Sequence, residues 1–196
     1  MGNLKRDYLD RYAVGEVFIE TGTYHGETVR MALEYGFKKI HTIELNEELY
    51  QMNVEQFKNN PEVKVWFGDS VDCVPQILEE IGNVEATFWL DAHASGPLPG
   101  GQYGPCPLVL ELKSIMGEEV LTFNGPTMER SFRRHPINTH TLFIDDRRLF
   151  GSAEWGYVSE QTVTDFLLQI NPSYKIRLLD GHQPNDIICA SVRAYE

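Results

Sequence analysis

Four side chains that could bind a metal ion or accept a proton follow two strand-like runs of the sequence. Asp91 and His93 follow the run FWL, and Asp145 and Asp146 follow the run LFI. Carboxylates that meet at one edge of a sheet repel one another unless a proton or a cation relieves the repulsion. A divalent cation with oxygen ligands does so at neutral pH and leaves coordination positions for a substrate. The pattern therefore predicts a site for Mg²⁺ or Mn²⁺.

A glycine turn precedes these acids in the segment FIETGTYHGETV, residues 18–29. The segment runs from an apolar strand into a helix, the setting in which glycines let a ligand approach the backbone at a helix N-terminus. A dinucleotide fingerprint G-x-G-x-x-G needs a second glycine at position 24, where this chain has Tyr24. A pyrophosphate lying against the turn would be crowded there, so the match to a dinucleotide site is imperfect.

Short apolar runs alternate with amphipathic stretches along the chain. Five runs are predicted to be buried strands: 17–20, 40–44, 63–67, 86–91 and 141–146. Five stretches have apolar residues at helical spacing: 27–35, 46–58, 71–81, 108–116 and 158–170. Asn46 and Ser70 are the predicted N-caps of two of these helices. The alternation predicts a parallel sheet that is covered by helices on both faces.

The last two apolar runs, 175–179 and 186–194, break this alternation. They are joined only by the segment DGHQPN, residues 180–185, which is too short for a helix. Strands joined so closely form an antiparallel hairpin. The sequence therefore predicts five parallel strands followed by an antiparallel pair.

This outline resembles the class I S-adenosylmethionine-dependent methyltransferases. The segment ETGTYHGET, residues 20–28, resembles their first motif and, more narrowly, the pattern E-x-G-T-x-x-G-x-[ST] of catechol-type and macrocin-type O-methyltransferases. The resemblance implies one methyltransferase domain over residues 1–196, with a Rossmann-like, doubly wound α/β fold. Its sheet would be mostly parallel, with a C-terminal antiparallel hairpin and the strand order 3-2-1-4-5-7-6. A methyl donor carries no pyrophosphate, so a larger residue fits at position 24.

The resemblance places S-adenosylmethionine at the ends of the first three strands. Glu20 and the glycine turn would hold its methionine part and ribose, and Glu44 would accept hydrogen bonds from both ribose hydroxyls. Asp69 and Ser70, in the segment FGDS, would meet the adenine. A helix-capping acid is the alternative role for Glu44, and a plain turn is the alternative for FGDS. The predicted cofactor-binding residues are Glu20, Gly22, Thr23, Tyr24, Gly26, Thr28, Glu44, Asp69, Ser70 and Asp91.

The acids after the fourth and fifth strands resemble the metal-dependent branch of that family, especially the macrocin- and novobiocin-pathway sugar methyltransferases. That resemblance implies Asp91, Asp145 and Asp146 as metal ligands. It puts His93 at the position of the general base, so Asp91 and His93 are the predicted catalytic pair. An imidazole, which titrates near pH ~6.5, suits proton uptake at physiological pH. Two alternatives for His93 stay open: a fourth metal ligand and a structural histidine.

A bound metal ion lowers the pKa of a hydroxyl, so the predicted partner is a small hydroxyl compound such as a sugar-like or catechol-like diol. The segment 95–107 could form a lid over it, and Trp155 with Tyr157 could form an aromatic wall. Surface insertion and core packing are the respective alternatives. Arginines could recruit an anionic acceptor, or they could pair internally or form a dimer contact. This basic patch comprises Arg130, Arg133, Arg134, His135, Arg147 and Arg148.

The composition of the chain argues against several kinds of partner and location. A net charge of -12 disfavours nucleic acid as a partner. No apolar run approaches the roughly 20 residues of a membrane span, and the N-terminal residues lack the apolar segment of a signal peptide. A cytoplasmic protein is therefore expected. Cys73, Cys106 and Cys189 are widely spaced, which predicts reduced and mostly buried thiols rather than a zinc cluster or disulfides.

Three other classes of function are compatible with part of the pattern. A nicotinamide-dependent oxidoreductase would use the glycine turn and Glu44, but its fingerprint is broken and the terminal hairpin argues against it. A non-catalytic nucleotide-binding module would not need the clustered aspartates. A metal-dependent phosphoesterase would leave the glycine turn unexplained.

Overall fold

A computed structural model of the chain describes residues 3–93, 101–124, 127–134 and 136–193. The helices in these ranges are α1 (Arg6–Tyr12), α2 (Glu27–Tyr35), α3 (Glu47–Phe57), α4 (Ser70–Ile81), α5 (Leu108–Met116) and α6 (Glu160–Ile170). The strands are β1 (Val17–Thr21), β2 (Lys39–Glu44), β3 (Val63–Phe67), β4 (Ala86–Leu90), β5 (Gly117–Asn124), β6 (Thr127–Arg134), β7 (Thr141–Ile144), β8 (Lys175–Leu179) and β9 (Ile187–Ser191). Two short 3₁₀ helices cover Arg147–Leu149 and Ala153–Trp155.

Seven of the strands form one sheet in the order β3-β2-β1-β4-β7-β9-β8. The pairs β3-β2, β2-β1, β1-β4 and β4-β7 are parallel, and β9 is antiparallel to both β7 and β8. When only the seven strands of this sheet are numbered in chain order, their spatial order is 3-2-1-4-5-7-6. The predicted α/β, doubly wound, Rossmann-like sheet with a terminal antiparallel hairpin is therefore confirmed.

Side chains alternate between two cores, one on each face of the sheet. Ile19, Phe88 and Leu142 point to the face that packs against α4, α5 and α6. Phe18 and Trp89 point to the face that packs against α1, α2 and α3. All five residues of β1 are buried, as are all five of β4. Apolar burial on both sides fixes these central strands, whose carboxyl ends then define one edge of the sheet.

Most predicted elements are present, with ends that differ by one or a few residues. Asn46 caps α3 as predicted, since its side chain accepts a hydrogen bond from the Leu49 N–H at 3.0 Å. The prediction for α4 was wrong by one residue, because the cap is Asp69 and Ser70 is the first helical residue. The Asp69 carboxylate reaches the Val71 N–H at 3.2 Å, which satisfies a helix N–H that has no partner within the helix.

The elements that were not predicted are α1, the two strands β5 and β6 of a separate antiparallel hairpin, and the two short 3₁₀ helices. Arg130, Arg133 and Arg134 of the predicted basic patch belong to β6, whose side chains the structure does not describe. His135 lies outside the described residues, as does part of the predicted lid, residues 95–100. Among the described residues, no helix combines the length and apolar character needed to cross a bilayer.

Candidate active site

A cavity of about 640 Å³ opens at the carboxyl ends of the parallel strands. This is the edge at which open α/β sheets bind ligands, and the volume suits a small organic molecule. Twelve of the predicted site residues line it: Glu20, Gly22, Thr23, Tyr24, Thr28, Glu44, Asp69, Ser70, Asp91, His93, Asp145 and Asp146. Gly26 does not line the cavity. Residues that follow five different strands therefore converge on one space.

The glycine turn lies against the loop that follows β4. A Cβ atom at position 22 would lie 2.9 Å from the carbonyl oxygen of Asp91, so only glycine fits there. The N–H groups of Gly22 and Thr23 both donate to the carbonyl of Ile43 at 3.0 Å. These contacts hold the turn between β2 and β4, where its backbone borders the cavity.

Glu44 connects two loops that border the cavity. Its Oε2 accepts a hydrogen bond from the Tyr24 N–H at 2.8 Å, and its Oε1 accepts one from the Asn46 N–H at 2.8 Å. Burial raises the pKa of this carboxyl, and the backbone hydrogen bonds oppose that rise. Each carboxylate oxygen has a second lone pair, so Glu44 can still accept bonds from a ligand. Its predicted ribose contact stays a prediction.

Glu20 is a buried acid at the base of the cavity. Thr42 Oγ1 donates to its Oε2 at 2.6 Å, and the hydroxyls of Thr42 and Thr23 are 2.6 Å apart. Burial raises the pKa of Glu20 to about 8, and the negative charges of Asp91 and Glu44 add to the effect. A cationic ligand group in the cavity would favour the ionised form of this acid.

The acids after β4 and β7 meet around His93. Its Nε2 lies 2.8 Å from Oδ2 of Asp146 and 3.5 Å from Oδ1 of Asp91. The His93 ring packs against Trp155 with their centroids 5.2 Å apart. Trp155 is buried, so it supports His93 from the protein interior. Tyr157, the other member of the predicted aromatic wall, is 72% exposed and is not among the residues that line the cavity.

Two groups of side chains bring potential metal ligands together within 4.8 Å of one another. One group comprises Asp91, His93 and Asp146, and the other comprises Asp145, Asp146 and Asp186. The predicted triad is therefore distributed over two groups that share Asp146. Asp186 was not predicted as a site residue, because it stands at the start of a strand with no motif around it. Only the folded chain brings it beside Asp146.

Arg148 lies between two acids of the second group. Its Nη1 contacts both Asp146 and Asp186, and its backbone N–H donates to Asp186 Oδ1 at 3.0 Å. His93 and Arg148 together hold the pKa of Asp146 below its ordinary value, although burial opposes them. The guanidinium thus already balances charge in the second group.

Asp145 is tied to the other end of the chain. Its Oδ2 accepts a hydrogen bond from Asn3 Nδ2 at 3.1 Å, and its Oδ1 accepts one from the Asp146 N–H at 2.8 Å. Burial raises its pKa to about 7, and the charge of Asp91 contributes. Asn3 and His182 also line the cavity, from the N-terminal segment and the β8-β9 loop. The sequence carried no signal for either, because each reaches the site only through tertiary contacts.

The structure also describes parts of the predicted lid and of the predicted basic patch, and the three cysteines. After residue 100 the chain is held by Gln102 and Tyr103, whose side chains donate to the two carboxylate oxygens of Asp72 at 2.9 and 2.8 Å. Arg147 pairs with Glu160 at 2.7 Å, so both Arg147 and Arg148 have internal acid partners. Cys73 and Cys189 are buried, Cys106 is partly buried, and all three are free, as predicted.

The sequence matches no protein-family model and no curated protein. Solved structures nevertheless share its fold. A candidate methyltransferase from Streptococcus mutans, solved with S-adenosylhomocysteine, has a TM-score of 0.55 at 15% identity, over 95% of this chain and 98% of that one. A candidate caffeoyl-CoA O-methyltransferase from Staphylococcus aureus has a TM-score of 0.52 at 13% identity, over 95% of this chain and 83% of that one.

A third similar structure is spermidine synthase from Thermotoga maritima, with a TM-score of 0.54 and 10% identity. The match covers 93% of this chain but only about half of the synthase, 55% of its length. At these identities the comparisons establish only the fold. The reaction has to be inferred from the side chains that line the cavity. The chain has the fold of class I S-adenosylmethionine-dependent methyltransferases.

Proposed function

We propose that this protein is an S-adenosylmethionine-dependent methyltransferase that methylates a hydroxyl group of a small molecule with the help of a divalent metal ion. The observation that carries the proposal is that one cavity joins the glycine turn and Glu44 on one side to Asp91, His93 and Asp146 on the other. A nucleotide-binding module would need only the first side. A methyl transfer needs both, because the donor and the acceptor must lie in line.

Residues of the first three strand ends would hold the methyl donor, whose sulfonium supplies an activated methyl group. Glu20 gives a buried acid for its positive charge, and Glu44 offers lone pairs to the ribose. Asp69 and Ser70, at the start of α4, border the same cavity where the adenine would lie. Tyr24 stands at the position where a dinucleotide turn needs glycine, which supports this donor over a nicotinamide dinucleotide.

The donor atoms around Asp146 fit a magnesium or manganese ion. They are mainly carboxylate oxygens, the ligands that these cations prefer, with one imidazole nitrogen of His93 beside them. Asp91, Asp145 and Asp146 would hold the ion. When bound, such an ion lowers the pKa of a nearby hydroxyl and neutralises charge that develops on its oxygen.

The chain's own part in the transfer is to orient the acceptor and to take its proton. The acceptor oxygen forms the new C–O bond as the S–CH₃ bond breaks, the bonding electron pair stays on sulfur, and the hydroxyl proton passes to His93. Asp146, at 2.8 Å from Nε2, fixes the imidazole ring and stabilises its protonated form.

Calorimetry on the full chain tests the donor assignment. S-adenosylmethionine and S-adenosylhomocysteine should bind, and NAD should bind at least tenfold more weakly. Preferential binding of NAD would refute the assignment. Turnover of a catechol in Mg²⁺ and in EDTA then tests the metal. Asp145→Ala should abolish the metal-dependent turnover and leave S-adenosylhomocysteine affinity within about twofold, because Asp145 lies on the acceptor side. Full activity in EDTA would remove the metal from the mechanism.

A further inference from the structure

The ionisable side chains around the cavity are mostly acidic. Eight carboxyl groups line it, from Glu20, Glu27, Glu44, Glu47, Asp69, Asp91, Asp145 and Asp146. Among the described residues that line it, Arg148 is the one side chain with a permanent positive charge. The other ionisable side chains that line it are Tyr24, His25, His93 and His182. The cavity is therefore far more acidic than a balanced surface would be.

The positive charge of Arg148 is already engaged. Its guanidinium contacts Asp146 and Asp186, and Asp186 is fully buried. Moving the arginine away would leave the buried Asp186 carboxylate without its ion-pair partner, which is energetically costly. Its neighbour Arg147 pairs with Glu160. Neither arginine can therefore supply a free positive charge to an anionic acceptor.

Two further segments of the sequence do not reverse this balance by their composition. Residues 94–100, between His93 and the cavity residue Gly101, read ASGPLPG and contain no ionisable side chain. Segment 117–134 contains three acids and three arginines, so it adds no net charge. Clefts lined by one sign of charge focus the field and raise the local concentration of oppositely charged ligands. Both proposed ligands, the sulfonium donor and the divalent ion, are cations of this kind, and the lining acids Glu27 and Glu47 belong to neither of their proposed sites.

We propose that the acceptor is a cationic hydroxyl compound, one that carries a protonated amine beside the hydroxyl that is methylated. This inference rests on the proposed function and names its substrate class. The amine would enter a negative field, whereas a carboxylate or phosphate on the acceptor would be repelled. The chemical step is the transfer described above, because the amine takes no part in it.

A matched set of catechols isolates the effect of acceptor charge. Dopamine, 4-methylcatechol and 3,4-dihydroxyphenylacetate share the diol and differ in having a positive, a neutral and a negative substituent. Their affinity for the full chain is measured by calorimetry in Mg²⁺, with and without S-adenosylhomocysteine, at low and high salt. Dopamine should bind at least about tenfold more tightly than the acid at low salt. The ratio should shrink at high salt, because salt screens exposed charges.

Two double variants test whether the cavity charge causes the preference. Glu27→Gln with Glu47→Gln removes two cavity carboxylates that are outside the proposed donor and metal sites. It should lower the ratio of dopamine to acid affinity severalfold. Glu34→Gln with Glu48→Gln is the control, since these exposed acids lie on the same two helices but do not line the cavity. This control should leave the ratio unchanged.

Three results would overturn the inference: equal or tighter binding of the acid, no binding of dopamine, or an equal loss of preference in the control variant. Failure of the proposed function would look different. In that case S-adenosylhomocysteine would not bind, or no catechol would be methylated, while the charge preference could still be measured from binding alone.

Discussion

The backbone N–H of Tyr24 donates to Oε2 of Glu44 at 2.8 Å, which joins the glycine turn to the end of β2. The other carboxylate oxygen of Glu44 holds the Asn46 N–H at the start of α3. An acid predicted to bind a ribose therefore also shapes two loops that border the cavity. This structural role would support the predicted ribose contact, because the same hydrogen bonds fix the direction of the remaining lone pairs of Glu44.

Glu44→Gln should weaken the binding of S-adenosylhomocysteine by about tenfold or more. A glutamine amide has one acceptor oxygen, so one of the two backbone N–H groups loses its partner, and hydrogen bonds to charged groups contribute about 1.5–3 kcal/mol. Calorimetry at pH 7.5 measures the change. Glu48→Gln is the control, because Glu48 is an exposed acid that lies four residues further along the chain, on α3. Equal affinities for the two variants would show that the Glu44 charge is not needed.

His93→Ala should lower kcat by about 10²-fold or more, the usual contribution of a general base, with little change in KM. The loss should shrink as pH rises, since a larger fraction of the acceptor is then already deprotonated. A pH–rate profile from pH 6 to 9 measures this. If His93 is instead a metal ligand, the variant would lose Mg²⁺ affinity and recover activity at high Mg²⁺ concentration, with no dependence of the loss on pH.

The sheet and most helix positions follow from the sequence, because apolar runs at strand and helix spacing leave few ways to bury them. The twelve predicted site residues that line the cavity also follow, since parallel strands bring their carboxyl ends to one edge. Asp186 and Asn3 could not be predicted, because they come from the terminal hairpin and the N-terminal segment and meet Asp146 and Asp145 only in the folded chain. The ion pairs of Arg148 with Asp146 and Asp186 could not be predicted either, since a sequence shows a charged residue but not the residue with which it pairs.

Glu111, on α5, is a buried acid that belongs to none of the predicted site motifs. Its Oε1 has no hydrogen-bond partner among the described residues. Burial raises its pKa from an ordinary 4.5 to about 7, and Asp69 and Asp91 contribute while Ser70 and Thr21 oppose. The folded state therefore holds this proton more tightly than the unfolded chain. Its contribution to stability is complete below pH 4.5 and is lost as pH rises through 7.

Glu111→Gln should remove this pH-dependent loss. At about 1.4 kcal/mol per pKa unit, a rise from 4.5 to about 7 corresponds to on the order of 3 kcal/mol. The variant should gain stability relative to the unaltered protein at pH 8, with the gain vanishing near pH 4.5. Urea unfolding of the ligand-free chain at several pH values measures it. Glu79→Gln, on α4 with its side chain exposed, should show no such trend, and a gain that is independent of pH would contradict the prediction.

Gly26 lies at the N-terminus of α2 with φ +71°, and it packs against α3 instead of the cavity. A Cβ atom there would lie 2.6–2.7 Å from Gln56 Nε2, Asn53 Oδ1 and the Phe57 ring. Asn53 cannot move aside freely, because its Nδ2 donates to the Tyr24 carbonyl at 2.6 Å and to the Leu49 carbonyl at 2.9 Å. A side chain at position 26 would therefore disturb the glycine turn through Asn53.

Gly26→Ala should destabilise the protein by about 1–3 kcal/mol more than Gly36→Ala, through overpacking. Gly36 is the matched control, because it also has a positive φ, +103°, but a Cβ atom there would meet nothing within 4 Å. Both variants carry the backbone strain of a left-handed alanine, and only Gly26→Ala adds the clash. Urea unfolding gives the two stabilities, and calorimetry should show weaker S-adenosylhomocysteine binding for Gly26→Ala alone. Equal effects at both positions would mean that Asn53 does not transmit the clash to Tyr24.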